Sequence, residues 1–448
     1  MNRPAARDNS KTPVSETAAS EALGRPPSCA NGWVAMSGLA GFLLSLILMY
    51  GSNLSPVHRS FIALAAAVLP MVLLDLFVLR VHRRPSTGLV WPRAQMAGPM
   101  DRSSVKRVLV KLIGLAGTIA AIGICYWLFP VYQERFYWPY WTALREAGPW
   151  LAAATVPYFF FVDRRMADPH DGYWQAGMAV LGRFEQVNGA LLRQHALGWI
   201  IKGYFLPLMF VYLTNIIGAV VNSEFLGGQG GFLPFYRLIW DTSFAVDLVF
   251  GTLGYCLTLR LTDSQIRSSD PTFLGWAVAV ACYQPFSNLL FHRYLEYQDD
   301  LSWTAWLADI PALQVLWGSV ILALIGMYTW TTVVFGCRFS NLTHRGILTH
   351  GPFRLTKHPA YLSKNLAWWL IAVPFIPTAG FDEAIRDCLL LIGVNVIYFL
   401  RARTEERHLS RDPVYVAYAL WIEQRGALRG IGRVFPLLRY RPPGQSLG

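Results

Sequence analysis

The chain has 448 residues, of which 54% are hydrophobic and only 15% charged, and its mean hydropathy is +0.34. Soluble globular chains carry about 25% charged residues, so this composition excludes an ordinary soluble domain and points to a bilayer. The formal charge of +12 does not point to nucleic acid, because Lys and Arg fall in blocks between apolar runs and form no continuous basic stripe.

In chain order, residues 1–31 are rich in Ala, Ser, Pro and charge and read as a disordered cytosolic tail. The apolar run that follows has full spanning length, unlike a cleaved secretory signal. A bilayer crossing needs about 20 apolar residues, and about ten segments reach or approach that length. They are 32–51, 60–80, 107–132, 147–162, 196–221, 236–259, 272–292, 311–336, 365–380 and 384–400. The fourth and ninth are short and hold Pro157 or Pro374 and Pro377, and the seventh holds Pro285 beside Gln284 and Asn288, as in a kinked helix facing protein. The expectation is an all-α, polytopic membrane protein with an N-terminal membrane region of about seven spans at 32–310, a second membrane domain at 311–441 and a tail at 442–448.

The basic residues set an orientation. Arg80, Arg83, Arg84, Arg93, Arg102, Lys106 and Arg107 follow the second segment, Arg164, Arg165, Arg183 and Arg193 the fourth, and Arg260 and Arg267 the sixth. Arg338, Arg345, Arg354, Lys357 and Lys364 follow the eighth, whereas 222–235 has no Lys or Arg and 293–310 sets Arg293 against Glu296, Asp299, Asp300 and Asp309. Positive charge stays on the cytosolic side, so both termini are expected there. The aromatic run Phe136, Tyr137, Trp138, Tyr140 and Trp141 reads as an outer interfacial belt. The six cysteines are scattered without metal spacing, and no metal site is expected.

The chemistry is concentrated near the C-terminus. After the eighth segment comes Arg345-Gly346-Ile347-Leu348, then Gly351-Pro352-Phe353-Arg354 and Lys357-His358-Pro359-Ala360-Tyr361-Leu362. After the tenth comes Arg401-Ala-Arg403-Thr-Glu405-Glu406-Arg407-His408-Leu409, followed by Asp412-Pro413-Val-Tyr415-Val-Ala-Tyr418. Arg401 and Glu405, four apart, share a helix face and suit an ion pair, whereas Glu406 is turned away and reads as a plain solvating charge.

Together these stretches resemble the isoprenylcysteine carboxyl methyltransferase and phospholipid methyltransferase family, over about residues 311–441. The resemblance implies an enzyme that takes S-adenosyl-L-methionine from the cytosol and methylates a lipophilic or lipidated acceptor. It implies donor contacts at Arg345, Gly346, Ile347, Leu348, Phe353, His358, Pro359, Ala360, Tyr361 and Glu405. It also implies that Arg401 meets the acceptor; if the acceptor is an amine, His358 or a water near Glu406 is the available base. Lys357 stands where the family more often has Arg, and Arg345-Gly346 where the animal enzymes have His-Lys. A sterol-reductase-type enzyme, which also carries an Arg-His-Pro-x-Tyr element, and a transporter or lipid-binding protein are the rival readings.

Elsewhere, Asp163 to Asp171 has the look of a metal cluster but reads better as a helix-end turn. Asp241 has Arg237 one turn away as an expected partner. Asp247 lies near mid-membrane, where an acid costs roughly 2.5–3.5 kcal/mol, and must find a contact on another helix or serve a site. Lys111 and Lys202 are expected to snorkel.

Overall fold

The structure, a computed structural model, describes residues 24–91, 101–297, 301–377, 380–430 and 439–442. The expected tail as far as residue 23, Arg93, Asp299, Asp300 and residues 443–448 lie outside these. The described chain is mostly helical: α1 Gly32–Met49, α2 Pro56–Leu73, α3 Arg102–Leu128, α4 Trp138–Asp163, α5 Gly172–Val180, α6 Gly189–Val221, α7 Phe232–Cys256, α8 Phe273–Val280, α9 Pro311–Val333, α10 Pro359–Ala372, α11 Phe381–Leu409 and α12 Pro413–Arg425.

Local chemistry sets many of the boundaries. Asn31, Ser55, Asn188 and Asp412 cap their helices through side-chain oxygens, each satisfying an amide that has no partner within the helix. Pro56, Pro311, Pro359 and Pro413 start helices where no amide hydrogen is needed. α10 ends where Val373 turns left-handed, φ 41°, just before Pro374.

Five helices are long and apolar enough to cross a membrane: Gly32–Met49, Pro56–Val78, Arg102–Leu128, Gly189–Val221 and Pro311–Val333. α4, α7 and α11 are as long but too polar or too charged to match them. The seventh and ninth expected segments are not continuous spans. α8 rises only about 12 Å before the chain turns and continues in the short pieces Phe286–Leu289 and Leu290–Tyr294, and α10 rises about 21 Å, against the roughly 30 Å of a hydrocarbon layer.

Contacts gather the basic loops at one end of the bundle. Leu89 bridges to Met166, and Arg260 donates to the Thr87 carbonyl at 2.9 Å. Ser268–Ser269 (β1) pairs antiparallel with Thr343–His344 (β2), and the Ser268 hydroxyl meets His408 at 3.2 Å. The common counter-charge is Asp263, 1% exposed, with Arg267 at 3.5 Å, Arg84 at 3.7 Å and Arg338 at 4.0 Å. A second hub joins α3 to the turn after α4. Asp163 binds Arg107 at 2.6 Å and Lys111 at 2.8 Å, and Asp171 reaches Lys111 at 3.5 Å while capping α5. Asp163 and Asp171 thus spend their charge on cations while Asp168 stays exposed, and Lys111 is buried in that hub rather than snorkelling.

The other loops form a distinct set of contacts. Tyr50 donates to the Leu226 carbonyl at 2.8 Å, and buried Trp303 packs on Tyr236 with ring centroids 5.0 Å apart. Arg237 pairs with Glu224 at 3.4 Å and not with Asp241. The aromatic run divides: Trp138 is exposed, but Tyr137 is buried against Ile201, Phe205 and Tyr255, where Pro130 and Pro139 keep the chain in tight turns. Lys202 is half-buried, and its ammonium lies 3.5 Å from the ring centre of Trp199, one turn nearer the start of α6.

Candidate active site

The motif residues divide into a group that lines a cavity and a group that builds its support. The cavity, about 1050 Å³ of empty space counted to its open mouth, lies among β2, α8, α9, α10 and α11. Phe353, His358, Pro359, Ala360, Tyr361, Arg401 and Glu405 all border it. Pro359 begins α10, which puts His358 and Tyr361 on its first turn; the His358 and Tyr361 rings lie 5.7 Å apart and 20° from parallel. The Tyr361 hydroxyl donates to Glu405 Oε2 at 3.1 Å. Among the described residues no cation pairs with Glu405.

Arg401 makes no ion pair with Glu405 either, although the two share a helix face. Its guanidinium, on a side chain only 8% exposed, donates from Nη2 to Asn341 Oδ1 at 3.0 Å. It also lies over the rings of Tyr361, Tyr398 and Tyr283 at 5.3, 5.7 and 5.8 Å. The pair predicted from spacing gives way to a cation held by three aromatic faces and one amide oxygen.

Arg345, Gly346, Ile347 and Leu348 lie away from this cavity. The Arg345 side chain is 3% exposed and donates to the carbonyls of Ser264 and Leu257 at 2.7 Å, of Cys337 at 3.0 Å, of Phe339 at 3.2 Å and of Gly254. It satisfies carbonyls at the end of α7 and in the turns that follow α7 and α9, so it sets the loop that carries Asn341. The close fit extends to Gly254, where a Cβ would collide with the Phe339 carbonyl. Gly346, at φ 109°, leaves room for Cys29, whose amide donates to the Ile347 carbonyl at 2.9 Å. Ile347 packs on Tyr415, Tyr418 and Ile422, and Leu348 is buried.

Glu406, expected to be a plain solvating charge, is 5% exposed and is the electrostatic node of the wall. Lys357 reaches its Oε1 at 2.9 Å, His358 Nε2 the same oxygen at 3.1 Å, and Arg403 its Oε2 at 2.7 Å. Burial alone would raise this carboxyl, but the His358 hydrogen bond and charge, with the Lys357 ammonium, outweigh it and bring it down to about 2. Nearby, burial pulls His344 down to about 4, against the opposing charge of Asp412 at 3.2 Å, and burial also lowers His408. A second cavity of about 960 Å³ lies beyond the Glu406 wall, between α10, α11 and α12, and shares Lys357, His358, Tyr361 and Tyr398 with the first.

Several lining residues fall outside the motifs. Gly275, Ala279 and Tyr283 come from the broken seventh segment, Asp270 from just before it, and Tyr328, Thr332 and Lys364 from α9 and α10. Polar interruption of an apolar run, as at Tyr283-Gln284-Pro285, was the signal available for the first group. Asp247 on α7 accepts from the hydroxyls of Tyr328 at 2.7 Å and Thr332 at 2.5 Å, which gives the mid-membrane acid its contact on another helix. Comparison with family models, characterised proteins and solved structures finds no match to this chain.

Proposed function

We propose that the chain is a membrane enzyme that transfers a methyl group from S-adenosylmethionine to a lipophilic acceptor. The reaction takes place at the membrane face where the basic loops gather. The observation that carries this reading is Glu405, a carboxylate bordering the cavity with a tyrosine hydroxyl as partner and, among the described residues, no cation paired with it. A carboxylate left so is matched by a ligand carrying positive charge, and the donor has both a sulfonium and an α-ammonium. When bound, the donor supplies a methyl group already activated by its sulfonium. The protein's work is then to orient the reactants and exclude water. Glu405 and Tyr361 suit the cationic part of the donor, the ring of Phe353 suits a flat apolar part, and Arg401 faces the acceptor. His358 is held by Glu406 and serves to position the wall.

Calorimetry on the purified protein in nanodiscs tests this reading. Wild type is expected to bind S-adenosylmethionine and S-adenosylhomocysteine, and Glu405→Ala to weaken both by roughly ten- to a hundredfold, the loss of one charge-assisted hydrogen bond. No binding by wild type would sink the proposal, whereas undiminished binding by Glu405→Ala would remove only its contact.

The reading also requires the basic end to face the cytosol, where the donor is. In a background without the native cysteines, an impermeant thiol reagent applied from outside should label Asp309→Cys and spare Arg425→Cys. The reverse pattern would put the cavity mouth on the wrong side.

A further inference from the structure

Arg401 is oriented by the part of the chain that carries none of the motifs. Its Nη2 donates to Asn341 Oδ1 at 3.0 Å, and Asn341, in the turn before β2, is itself fixed from elsewhere. Its Nδ2 donates to the hydroxyl of Tyr255 at 3.0 Å and to that of Tyr283 at 3.1 Å, and its backbone amide donates to Tyr255 at 2.9 Å. Both hydrogens of the side-chain amide and its oxygen are therefore engaged. A guanidinium can only donate, so turning the amide over would set N–H against N–H at Arg401. The two tyrosines are held in their turn. Tyr255, on the last turn of α7, is 2% exposed and stacks on Phe205 of α6, with ring centroids 5.4 Å apart and planes 8° from parallel. Phe205 meets the Tyr283 ring edge-on at 4.9 Å, and Tyr204 donates to the carbonyl of Gln284, next to Tyr283, at 2.8 Å. Rings from α6, α7 and the broken seventh segment thus pack as one block, which leaves the two hydroxyls little freedom.

We propose that Asn341 is a positioning residue through which Tyr255 and Tyr283 of the N-terminal region set the direction of the Arg401 guanidinium. Without that amide, the contacts left to Arg401 among the described residues are the faces of Tyr283, Tyr361 and Tyr398. Aromatic faces attract a cation but do not fix the directions of its N–H groups, whereas a hydrogen bond does. The consequence for activity rests on the methyl-transfer reading, in which Arg401 orients the acceptor and Glu405 holds the donor. On that reading the relay governs the rate of transfer and leaves donor affinity alone. The membrane region before residue 310 is then one side of the site, and not a separate transport unit.

The test is a double-mutant cycle on the transfer of labelled methyl into native membrane extract, with calorimetry on S-adenosylhomocysteine in nanodiscs beside it. Tyr283→Phe removes one hydroxyl and keeps the ring that packs on Phe205 and faces Arg401. Asn341→Ala should slow transfer roughly tenfold or more, and Tyr283→Phe and Tyr255→Phe about threefold each, with affinity for S-adenosylhomocysteine within about twofold of wild type. In the Asn341→Ala background Tyr283→Phe should have no further effect, because its hydroxyl acts through the amide. Losses that multiply in the double variant, wild-type transfer by Asn341→Ala, or equal losses in donor affinity and transfer would each overturn the assignment. Thermal unfolding of wild type, the two single variants and the double variant in detergent reads the same relay without any reaction. Tyr283→Phe should lower the midpoint in the wild-type background and not in Asn341→Ala, and additive shifts would overturn the relay. Coupled midpoints in a protein that neither binds S-adenosylhomocysteine nor transfers methyl would uphold the relay and reject the methyl-transfer reading.

Discussion

Glu406→Ala is expected to destabilise the protein by about 3–5 kcal/mol, the cost of breaking a buried charge cluster from one side. Two cations, Lys357 and Arg403, and the His358 ring converge on this one carboxylate, and only Lys357 has a second acid, Glu423 at 2.9 Å. Thermal unfolding in detergent should therefore show a much larger loss for Glu406→Ala than for an exposed acid such as Glu383. The pH dependence gives a sharper signature. The folded carboxyl sits at about 2 and its ordinary value is 4.5. A carboxyl depressed on folding contributes stability that is complete above the unfolded value and is lost as pH falls through the folded one. Wild type should thus lose on the order of 3 kcal/mol between about pH 4.5 and 2 through this group, and Glu406→Gln should lack that part of the acid transition. A loss under about 1 kcal/mol for Glu406→Ala would mean that the charges are solvated, as first expected from the sequence.

The contrast between Glu405 and Glu406 shows what a linear reading can and cannot reach. Helical periodicity separates their directions by about a quarter turn, and that much is visible in the letters. Which of the two meets cations depends on Lys357 and His358, nearly fifty residues earlier, and on the approach of α10 to α11. Arg345 makes the same point more strongly. Its position beside a motif suggests a ligand contact, yet its acceptors are carbonyls of residues 254–264 and 337–339, which no local pattern identifies. The charge alternation was more legible, because insertion acts on each loop as it is made, and the basic loops do meet at one end around Asp263. The break in the seventh segment was legible only as a kink at Pro285, because hydropathy measures transfer cost and not continuity. Thr272 caps α8, and the chain then bends inward to deliver Tyr283. Asp247 was legible only as a deficit: an acid in an apolar run must have a partner, but the sequence does not say that Tyr328 and Thr332 are it.

On the proposed methyl-transfer reading, and for an acceptor that presents an oxyanion, Arg401→Lys is expected to leave donor binding within about twofold of wild type while reducing methyl transfer roughly a hundredfold, a barrier change near 2.7 kcal/mol. The argument starts from the geometry of the guanidinium. One of its nitrogens is tied to Asn341 at 3.0 Å, and its plane lies among Tyr283, Tyr361 and Tyr398. The remaining N–H groups are thereby aimed in fixed directions, and a planar fork can hold both oxygens of an oxyanion at once. Lysine keeps the charge, so the electrostatic attraction that brings an acidic acceptor to the site survives. It has no fork, however, and its single ammonium cannot hold Asn341 and two acceptor oxygens in one plane. Since much of the rate enhancement in such a transfer comes from alignment of donor and nucleophile, the loss should fall on turnover more than on affinity. Glu405 lies one helical turn further along α11 and makes no pair with Arg401, so donor affinity should be insensitive to the change. The experiment supplies donor labelled in its methyl group together with native membrane extract, and follows the label into lipid and aqueous fractions for wild type and variant. Full activity of Arg401→Lys would remove Arg401 from the orientation of the acceptor. Equal losses in donor affinity and turnover would assign it to the donor instead. Label found only in a water-soluble product would reject the lipophilic acceptor while leaving the place of Arg401 in the site intact.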